Sequence, residues 1–216
     1  LGGPDVAVGV SMNVADFDQV KSGLAESVLA FGGVDIIVNN AGITRAGSIS
    51  DTSLEDWDLQ FQIMPRGSFL VVKAAEETLR AQKLGGDIIN ICSKNSVFAG
   101  PNNIAYSSAK AAQAHMVRLL AAELGDISVR VNGINPDGVV RGSGIFAGGW
   151  GASRAATYGV AEDDLGKFYA QRTVLKEEVL PIHVAQAVLA LTNGTLPVTT
   201  GLLIPVDSGV AAAFMR

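Results

Sequence analysis

Short apolar runs rich in β-branched residues alternate along the chain with stretches whose apolar residues recur at helical spacing. This alternation is typical of βαβ units, in which helices connect parallel strands, so it predicts an α/β fold built on a parallel sheet. The predicted strands are Val6 to Met12, Val34 to Val38, Asp87 to Ile91, Ser128 to Gly133 and Leu202 to Val206.

Helices are predicted between the strands from apolar periodicity and from capping signals such as Ser53 followed by Asp56. They cover Asp16 to Ala30, Ser53 to Gln82 with a kink at Pro65, Asn103 to Leu124, Glu162 to Ala170 and Pro181 to Asn193. Residues 141–178 form a long excursion without a predicted strand. In a compact domain such a stretch indicates a binding loop or a lid.

The composition limits the class of protein and its partners. The 216 residues, 48% of them hydrophobic, predict one core and one domain over residues 1–216. A net charge of -5 with scattered Lys and Arg argues against a nucleic-acid partner, and no apolar run reaches the ~20 residues that a membrane span needs. The single cysteine, Cys92, fits a reducing compartment, so we expect a cytoplasmic protein.

Tyr106 and Lys110 lie four positions apart on the predicted long helix, so they share one face. A phenol is a poor base at neutral pH, and a nearby ammonium favours its ionised form by lowering its pKa. The pair therefore predicts that Tyr106 is a general acid/base and that Lys110 assists it. By itself this spacing is weak evidence, because it also arises by chance.

Two further motifs follow predicted strands. Ser93 stands at the carboxyl end of the strand Asp87 to Ile91, where α/β sheets bind ligands, and its hydroxyl could hold a substrate oxygen beside Tyr106. The residues Asn39, Asn40, Ala41 and Gly42 follow the strand Val34 to Val38 and would let a flat ligand approach the backbone. The alternatives are a serine that closes a turn and an ordinary β-to-α turn.

Taken together, these motifs resemble those of the short-chain dehydrogenase/reductase family. Ser93 lies thirteen positions before Tyr106, and Lys110 completes the family's catalytic trio. The resemblance implies a Rossmann-like, doubly wound parallel sheet and a bound NAD, with NADP left open. It also implies a cofactor site made of Asn13, Val14, Asn39, Asn40, Ala41, Gly42, Tyr106, Lys110, Pro136 and Val139.

The second half of the chain is similar to the dehydrogenase half of bifunctional rhamnulose-phosphate aldolase/alcohol dehydrogenase proteins. The similar segments are Pro136 to Gly144, Gly148 to Gly151, Phe168 to Thr173 and Ala211 to Arg216. This likeness implies hydride transfer between NAD(H) and a small hydroxyl or aldehyde compound, with lactaldehyde as the expected substrate.

The chain departs from the family pattern in two places. The family's first strand, glycine-rich turn, helix and second strand are missing, so Val6 to Met12 would face a gap in the sheet, and we expect weak stability or weak cofactor binding. Met64 stands where the family has an Asn that supports a water path to the lysine. Because Met cannot hold that water, the proton relay is expected to differ.

Two other functions remain open. The segment Asn39 to Arg45 also resembles that of 3-oxoacyl thioester reductases. A catalytically silent fragment is the third possibility, in which the helices at 65–82 and 103–124 associate into a homodimer or homotetramer, as the family implies. A metal site is not expected, because His115 and His183 have no spaced set of further ligands.

Overall fold

Four parallel strands form one sheet, and they lie in it in the order in which they follow each other along the chain. A computed structural model describes residues 3, 6–147 and 149–214. The strands are β1 (Ile36–Asn39), β2 (Gly86–Ile91), β3 (Val129–Pro136) and β4 (Leu203–Val206). Every neighbouring pair is parallel, which confirms the predicted α/β fold with a parallel sheet.

Seven α-helices occur in the described part of the chain, one before the first strand and six between the strands. They are α1 (Phe17–Phe31), α2 (Leu54–Phe61), α3 (Gly67–Gln82), α4 (Ile104–Leu124), α5 (Trp150–Tyr158), α6 (Leu165–Gln171) and α7 (Pro181–Thr192). Because side chains alternate along a strand, Ile88 packs on one face of the sheet and Ile89 on the other. Helices α3 and α4 cover the Ile88 face and α7 covers the Ile89 face, as in a doubly wound sheet.

The predicted strand from Val6 to Met12 was wrong. Residues 6–12 form no strand and run as irregular chain up to α1. The side chains of Val10 and Met12 instead pack beside Gly23 of α1. Apolar, β-branched residues form a strand only when a neighbouring strand accepts their hydrogen bonds, and the described residues provide none beside this segment.

Strand β1 is an edge strand, and among the described residues no further strand pairs with its outer side. The side chains of Ile36 and Val38 are 48% and 44% exposed, although they are large and apolar. The opposite face of the same strand carries buried Ile37. An edge of this kind presents unpaired backbone groups together with apolar surface, which are the features that promote association of strands.

The predicted starts and bends of several helices are confirmed. The carboxylate of Asp16 caps α1, and the Ser53 hydroxyl accepts from the Asp56 amide at 3.0 Å at the start of α2. At Pro65, which has no N–H to donate, the chain forms a π-helical turn over Gln62–Arg66 between α2 and α3. Helix α5 was not predicted, because its glycine-rich start resembles a loop.

The carboxyl ends of the first three strands lie together at one edge of the sheet. Asn39 ends β1 in register with Asn90 of β2, and Ile91 at the end of β2 is in register with Ile134 of β3. The chain segments that leave these strands therefore start side by side. They carry the motifs that the sequence analysis selected as functional.

Candidate active site

Ser93 leaves the sheet directly after β2. The amide of the preceding Cys92 still donates to the Ile134 carbonyl at 2.8 Å, so the ladder with β3 holds the chain up to this point. Ser93 has extended backbone angles, and its hydroxyl accepts from the Asn95 amide at 3.2 Å to start a 3-10 turn. Ser93 therefore does close a turn, as the alternative interpretation predicted, and it is also buried.

Tyr106 and Lys110 reach the same place from the first turns of α4. The side chain of Ser93 lies close enough to the phenol of Tyr106 to act on its pKa. The Nζ atom of Lys110 lies 6.0 Å from the centroid of the Tyr106 ring. The structure therefore brings together the three residues that the sequence analysis selected as catalytic, at the carboxyl end of β2.

Burial controls the ionisation of these groups. It raises the pKa of Tyr106 to about 12, although the nearby Ser93 side chain acts in the opposite direction. It lowers the pKa of Lys110 to about 8, while the nearby Cys92 acts to raise it. The expectation that Lys110 lowers the pKa of the phenol is not met in this state, because desolvation is the larger effect.

The ammonium of Lys110 is held from the side facing the core. Its Nζ donates to the Ile91 carbonyl at 2.7 Å and to Oε1 of Gln113 at 2.9 Å. Nε2 of Gln113 donates in turn to the hydroxyl of Ser68 on α3, at 2.7 Å. The sequence analysis missed Gln113 and Ser68. The available signal was a polar residue three positions after Lys110, on a face of the helix that is otherwise apolar.

The segment after β1 lies beside this cluster. Asn39 is buried and its Nδ2 donates to Oδ1 of Asn90 at 2.8 Å, whereas Asn40 and Ala41 are exposed. A β-carbon built on Gly42 would lie 3.9 Å from Nζ of Lys110 and meet no closer atom. Gly42 therefore lies next to the lysine, and a β-carbon at this position would make only ordinary van der Waals contacts.

The remaining residues of the predicted cofactor site lie farther along the same edge. The side chain of Val14 packs against Gly67, where an added β-carbon would be 3.0 Å from Cγ2 of Val14. The exposed Asn13 accepts from the Ala15 amide at 3.0 Å. Pro136 is buried at the end of β3, and Val139 is half-buried in the segment that follows.

The similarity to known proteins identifies the family. A family model for short-chain dehydrogenases, described as enoyl-(acyl carrier protein) reductase, matches residues 2–211. The chain belongs to the short-chain dehydrogenase/reductase family.

Several relatives of this short-chain dehydrogenase are similar in sequence. An uncharacterized oxidoreductase of Bacillus subtilis is 41% identical over 210 residues, which cover 97% of this chain and 30% of that protein. A trans-4-hydroxycyclohexanecarboxylate dehydrogenase of Sinomonas cyclohexanicum is 36% identical over 137 residues, covering 63% and 52% of the two chains. A 3-oxoacyl-(acyl-carrier-protein) reductase of Thermotoga maritima is 28% identical over 199 residues, covering 92% and 75%. The chain thus spans less than two thirds of the length of the first two relatives.

Solved structures show the same fold. A sorbitol-6-phosphate 2-dehydrogenase of Erwinia amylovora superposes with a TM-score of 0.90 at 24% identity, over 99% of this chain and 82% of that one. A carveol dehydrogenase of Mycobacterium avium in complex with NAD gives 0.84 at 27%, over 92% and 73%. A gluconate 5-dehydrogenase of Burkholderia cenocepacia with NADP and tartrate gives 0.77 at 24%, over 94% and 74%. The Rossmann-like fold class is therefore confirmed.

Met64 is the residue that the sequence analysis selected as a departure from the family pattern. It is completely buried in the π-helical turn, and its sulfur would lie 4.0 Å from a β-carbon on Gly42. The same β-carbon position is 3.9 Å from Nζ of Lys110. An apolar thioether thus lies near the lysine, where the sequence analysis expected the amide of an Asn in this family.

The excursion after β3 packs onto the end of that strand. The ring of Tyr169 in α6 lies against Gly138, where a β-carbon would come within 3.0 Å of it. Arg141 and Glu178 form an ion pair of 2.7 Å. A cleft of about 460 Å³ lies beside this pair, lined by Val140, Arg141, Phe146, Gly151, Glu162, Asp163 and Gly166. Part of the predicted binding segment, Gly148, lies outside the described residues.

Two negative findings apply to the described part of the chain. No group of three or more His, Cys, Asp or Glu residues there could hold a metal ion. No helix there has the length and apolar character to cross a bilayer. His183 has a local role, since its Nδ1 accepts from the Leu180 amide at 3.2 Å at the start of α7.

Proposed function

We propose that the chain is the catalytic part of an alcohol/aldehyde oxidoreductase in which Ser93, Tyr106 and Lys110 act on one small hydroxyl or carbonyl compound. The observation that carries this proposal is the meeting of these three side chains at the carboxyl end of β2. They come from two elements and are held by separate hydrogen bonds, so their proximity is a product of the fold.

In the oxidation direction, Tyr106 accepts the proton of the substrate hydroxyl, and in reduction it donates that proton back. Ser93 holds the substrate oxygen, since its side chain already lies close to the Tyr106 phenol. The charge of Lys110 is assigned to the phenolate that forms when Tyr106 gives up its proton, although burial keeps the phenol protonated before the reaction. Because burial raises the pKa of Tyr106 to about 12, the protonated phenol predominates at neutral pH and can act as a general acid.

The residues at this edge fit a nicotinamide cofactor. Gly42, which has no side chain, lies beside Lys110, and two of the three N–H groups of the ammonium are already bound by Ile91 and Gln113. We assign the remaining N–H, together with Tyr106, to the cofactor's nicotinamide ribose. The other assigned cofactor residues are Asn13, Val14, Asn39, Asn40, Ala41, Pro136 and Val139. When bound, the cofactor supplies the hydride donor or acceptor of the reaction.

Among possible cofactors and substrates we favour NAD and lactaldehyde. The support is the resemblance of the second half to the dehydrogenase half of bifunctional aldolase/dehydrogenases. It is consistent with the Bacillus relative, of which the chain covers only 30%. In this view residues 1–216 are one dehydrogenase domain. The relatives solved with NAD and with NADP leave the choice of cofactor to measurement.

A reductase of 3-oxoacyl thioesters is the second candidate function. It is favoured by the similarity to the 3-oxoacyl-(acyl-carrier-protein) reductase of Thermotoga maritima, which extends over 92% of this chain. The same three catalytic residues would serve, because the reaction is again the transfer of a hydride and a proton to a carbonyl group. The two candidates differ in the substrate that the excursion at residues 141–178 admits.

We further propose that α3 and α4 form the contact between copies of the chain. Phe69 on α3 and Leu119 on α4 are large apolar side chains that lie exposed. A homodimer or homotetramer formed through these helices would bury them. Separately, we propose a cytoplasmic location, which we infer from the single cysteine.

The decisive experiment compares substrates and cofactors in one assay. NADH and NADPH oxidation are followed with lactaldehyde and with a 3-oxoacyl thioester, and binding of both cofactors is measured by fluorescence. Turnover of lactaldehyde with NADH supports the leading proposal, whereas turnover of the thioester alone supports the second. Binding of neither cofactor, together with a stable oligomer, would favour the catalytically silent fragment.

A further inference from the structure

Gln113 is a completely buried glutamine on the core side of α4. One turn farther along the helix, Val117 lies in the same buried environment. A primary amide that leaves water loses its hydration and must regain its hydrogen bonds inside the protein. A buried glutamine at this position therefore destabilises the fold unless its hydrogen-bond partners are well placed.

Both ends of the Gln113 amide have a partner. Its oxygen accepts from Nζ of Lys110 at 2.9 Å, and its nitrogen donates to the hydroxyl of Ser68 at 2.7 Å. An ammonium can donate hydrogen bonds but cannot accept them, so the Gln113 atom that faces Lys110 must be the amide oxygen. Ser68 is itself buried on α3 and accepts the other end, which keeps the amide in this orientation.

We propose that Gln113 is a positioning residue for Lys110. With the Ile91 carbonyl it holds the ammonium 6.0 Å from the centroid of the Tyr106 ring, and Ser68 holds Gln113. Gln113 acts through the lysine and not on the reacting atoms. The role in catalysis rests on the proposed function, whereas the role in holding the charged lysine does not.

The surroundings of Lys110 make this acceptor important. Burial lowers the pKa of Lys110 to about 8, so the ammonium form needs acceptors to persist near neutral pH. The titratable groups that face it are the Cys92 thiol at the end of β2 and the Tyr106 phenol on its own helix. Met64, on the side of the π-helical turn, offers only a thioether. Among the described residues, no carboxylate pairs with Lys110.

Two nearly isosteric substitutions have opposite expected effects. Gln113→Met removes the acceptor, so the pKa of Lys110 is expected to fall further. Gln113→Glu places a carboxylate on the ammonium, so that pKa is expected to rise by about one pH unit or more. A residue that only fills space would instead leave the titration of Lys110 unchanged in both variants.

The first measurement is the titration of Lys110 by ¹³C NMR in the full chain without substrate. The resonance is assigned by its loss in Lys110→Met. Opposite displacements in Gln113→Glu and Gln113→Met support the proposal, and an unchanged titration in both overturns it. Should Gln113→Met not fold, Ser68→Ala carries the same prediction, because the amide then loses its second anchor, and Ser68→Thr, which keeps a hydroxyl, should restore the titration.

The second measurement is the pH profile of kcat/KM for the substrate that the chain turns over. Its alkaline limb is expected to move in the same direction as the Lys110 titration. Gln60 is a matched control, because it is also completely buried but bonds to the backbone of Arg45 and Asp56. Gln60→Glu should leave the limb in place. The NMR result decides the positioning role even if the chain shows no turnover, so the failure of one proposal is distinguishable from that of the other.

Discussion

Lys94 and Asp137 form an ion pair of 2.7 Å in which the side chains are only 13% and 3% exposed. Lys94 directly follows Ser93, and Asp137 directly follows Pro136 at the end of β3. The pair therefore ties the segment that carries Ser93, the proposed catalytic serine, to the segment assigned to the cofactor. The sequence analysis selected neither residue, because their pairing depends on two strands lying side by side.

Breaking this pair should destabilise the protein. Lys94→Met leaves the buried carboxylate of Asp137 without its cation, and we expect a loss of about 3 kcal/mol in the free energy of unfolding. This loss is measured by denaturant unfolding of the variant and the wild type. Lys94→Met combined with Asp137→Leu should recover much of the loss. The exposed pair of Lys167 and Asp164 is the control, since Lys167→Met should cost less than ~1 kcal/mol. Equal effects of the two single variants would contradict the prediction.

Removing the phenolic hydroxyl of Tyr106 should stop the reaction while the fold persists. We expect Tyr106→Phe to lower kcat by about 10²-fold or more, because no other group can transfer the proton at that point. Circular dichroism checks the fold and steady-state kinetics the rate. Tyr158→Phe removes a phenol in α5 and should keep most of the activity. A Tyr106→Phe variant of normal rate would exclude Tyr106 as the acid/base.

The depressed pKa of Lys110 predicts a stability that depends on pH. Its pKa is lowered from 10.5 to about 8, so from pH 8 upward the unfolded chain binds more protons at this lysine than the native one. The free energy of unfolding should therefore gain from this group as the pH rises, by at most about 1.4 kcal/mol per pH unit. Cys92, whose pKa is raised from 9.0 to about 11, acts with the opposite sign and already begins to do so between pH 8 and 9. The Lys110 effect is the larger one in this window, and Tyr106, whose pKa is also raised, opposes it only at higher pH.

The check is a series of denaturant unfolding curves between pH 8 and 9 for the wild type and Lys110→Met. The free energy of unfolding of the variant should rise less with pH than that of the wild type. Parallel curves for both proteins would contradict the depressed pKa of Lys110.

Replacing Met64 by asparagine should lower the stability of the fold and raise kcat. The completely buried thioether borders Lys110, and Met64→Asn would lose apolar packing at a cost of roughly 2 kcal/mol or more. An amide there can hold a water beside the lysine, so we expect kcat to rise. Met64→Leu, which conserves volume but holds no water, should change neither quantity much. An unchanged kcat in Met64→Asn would show that the position is irrelevant to proton transfer.

The exposed edge of β1 predicts that the 216-residue chain by itself is weakly stable, tends to associate and binds cofactor weakly. With Ile36 and Val38 exposed beside unpaired strand groups, we expect a broad thermal transition, a tendency to associate, and NAD binding weaker than micromolar. Val38→Lys should reduce the association. Calorimetry and a fluorescence titration test this, and a cooperative melt with micromolar NAD affinity would refute it.

The amino-acid sequence by itself determined the parallel sheet, most helix boundaries and the meeting of Ser93, Tyr106 and Lys110. These follow from local patterns, since residues four apart share a helix face and the carboxyl ends of parallel strands meet at one edge. The tertiary structure alone decided that Val6 to Met12 forms no strand, that Gln113 and Ser68 hold Lys110, and that Lys94 pairs with Asp137. Each of these depends on groups brought close from distant parts of the chain. Their desolvation and hydrogen bonding exist only in the folded protein, so no local pattern records them.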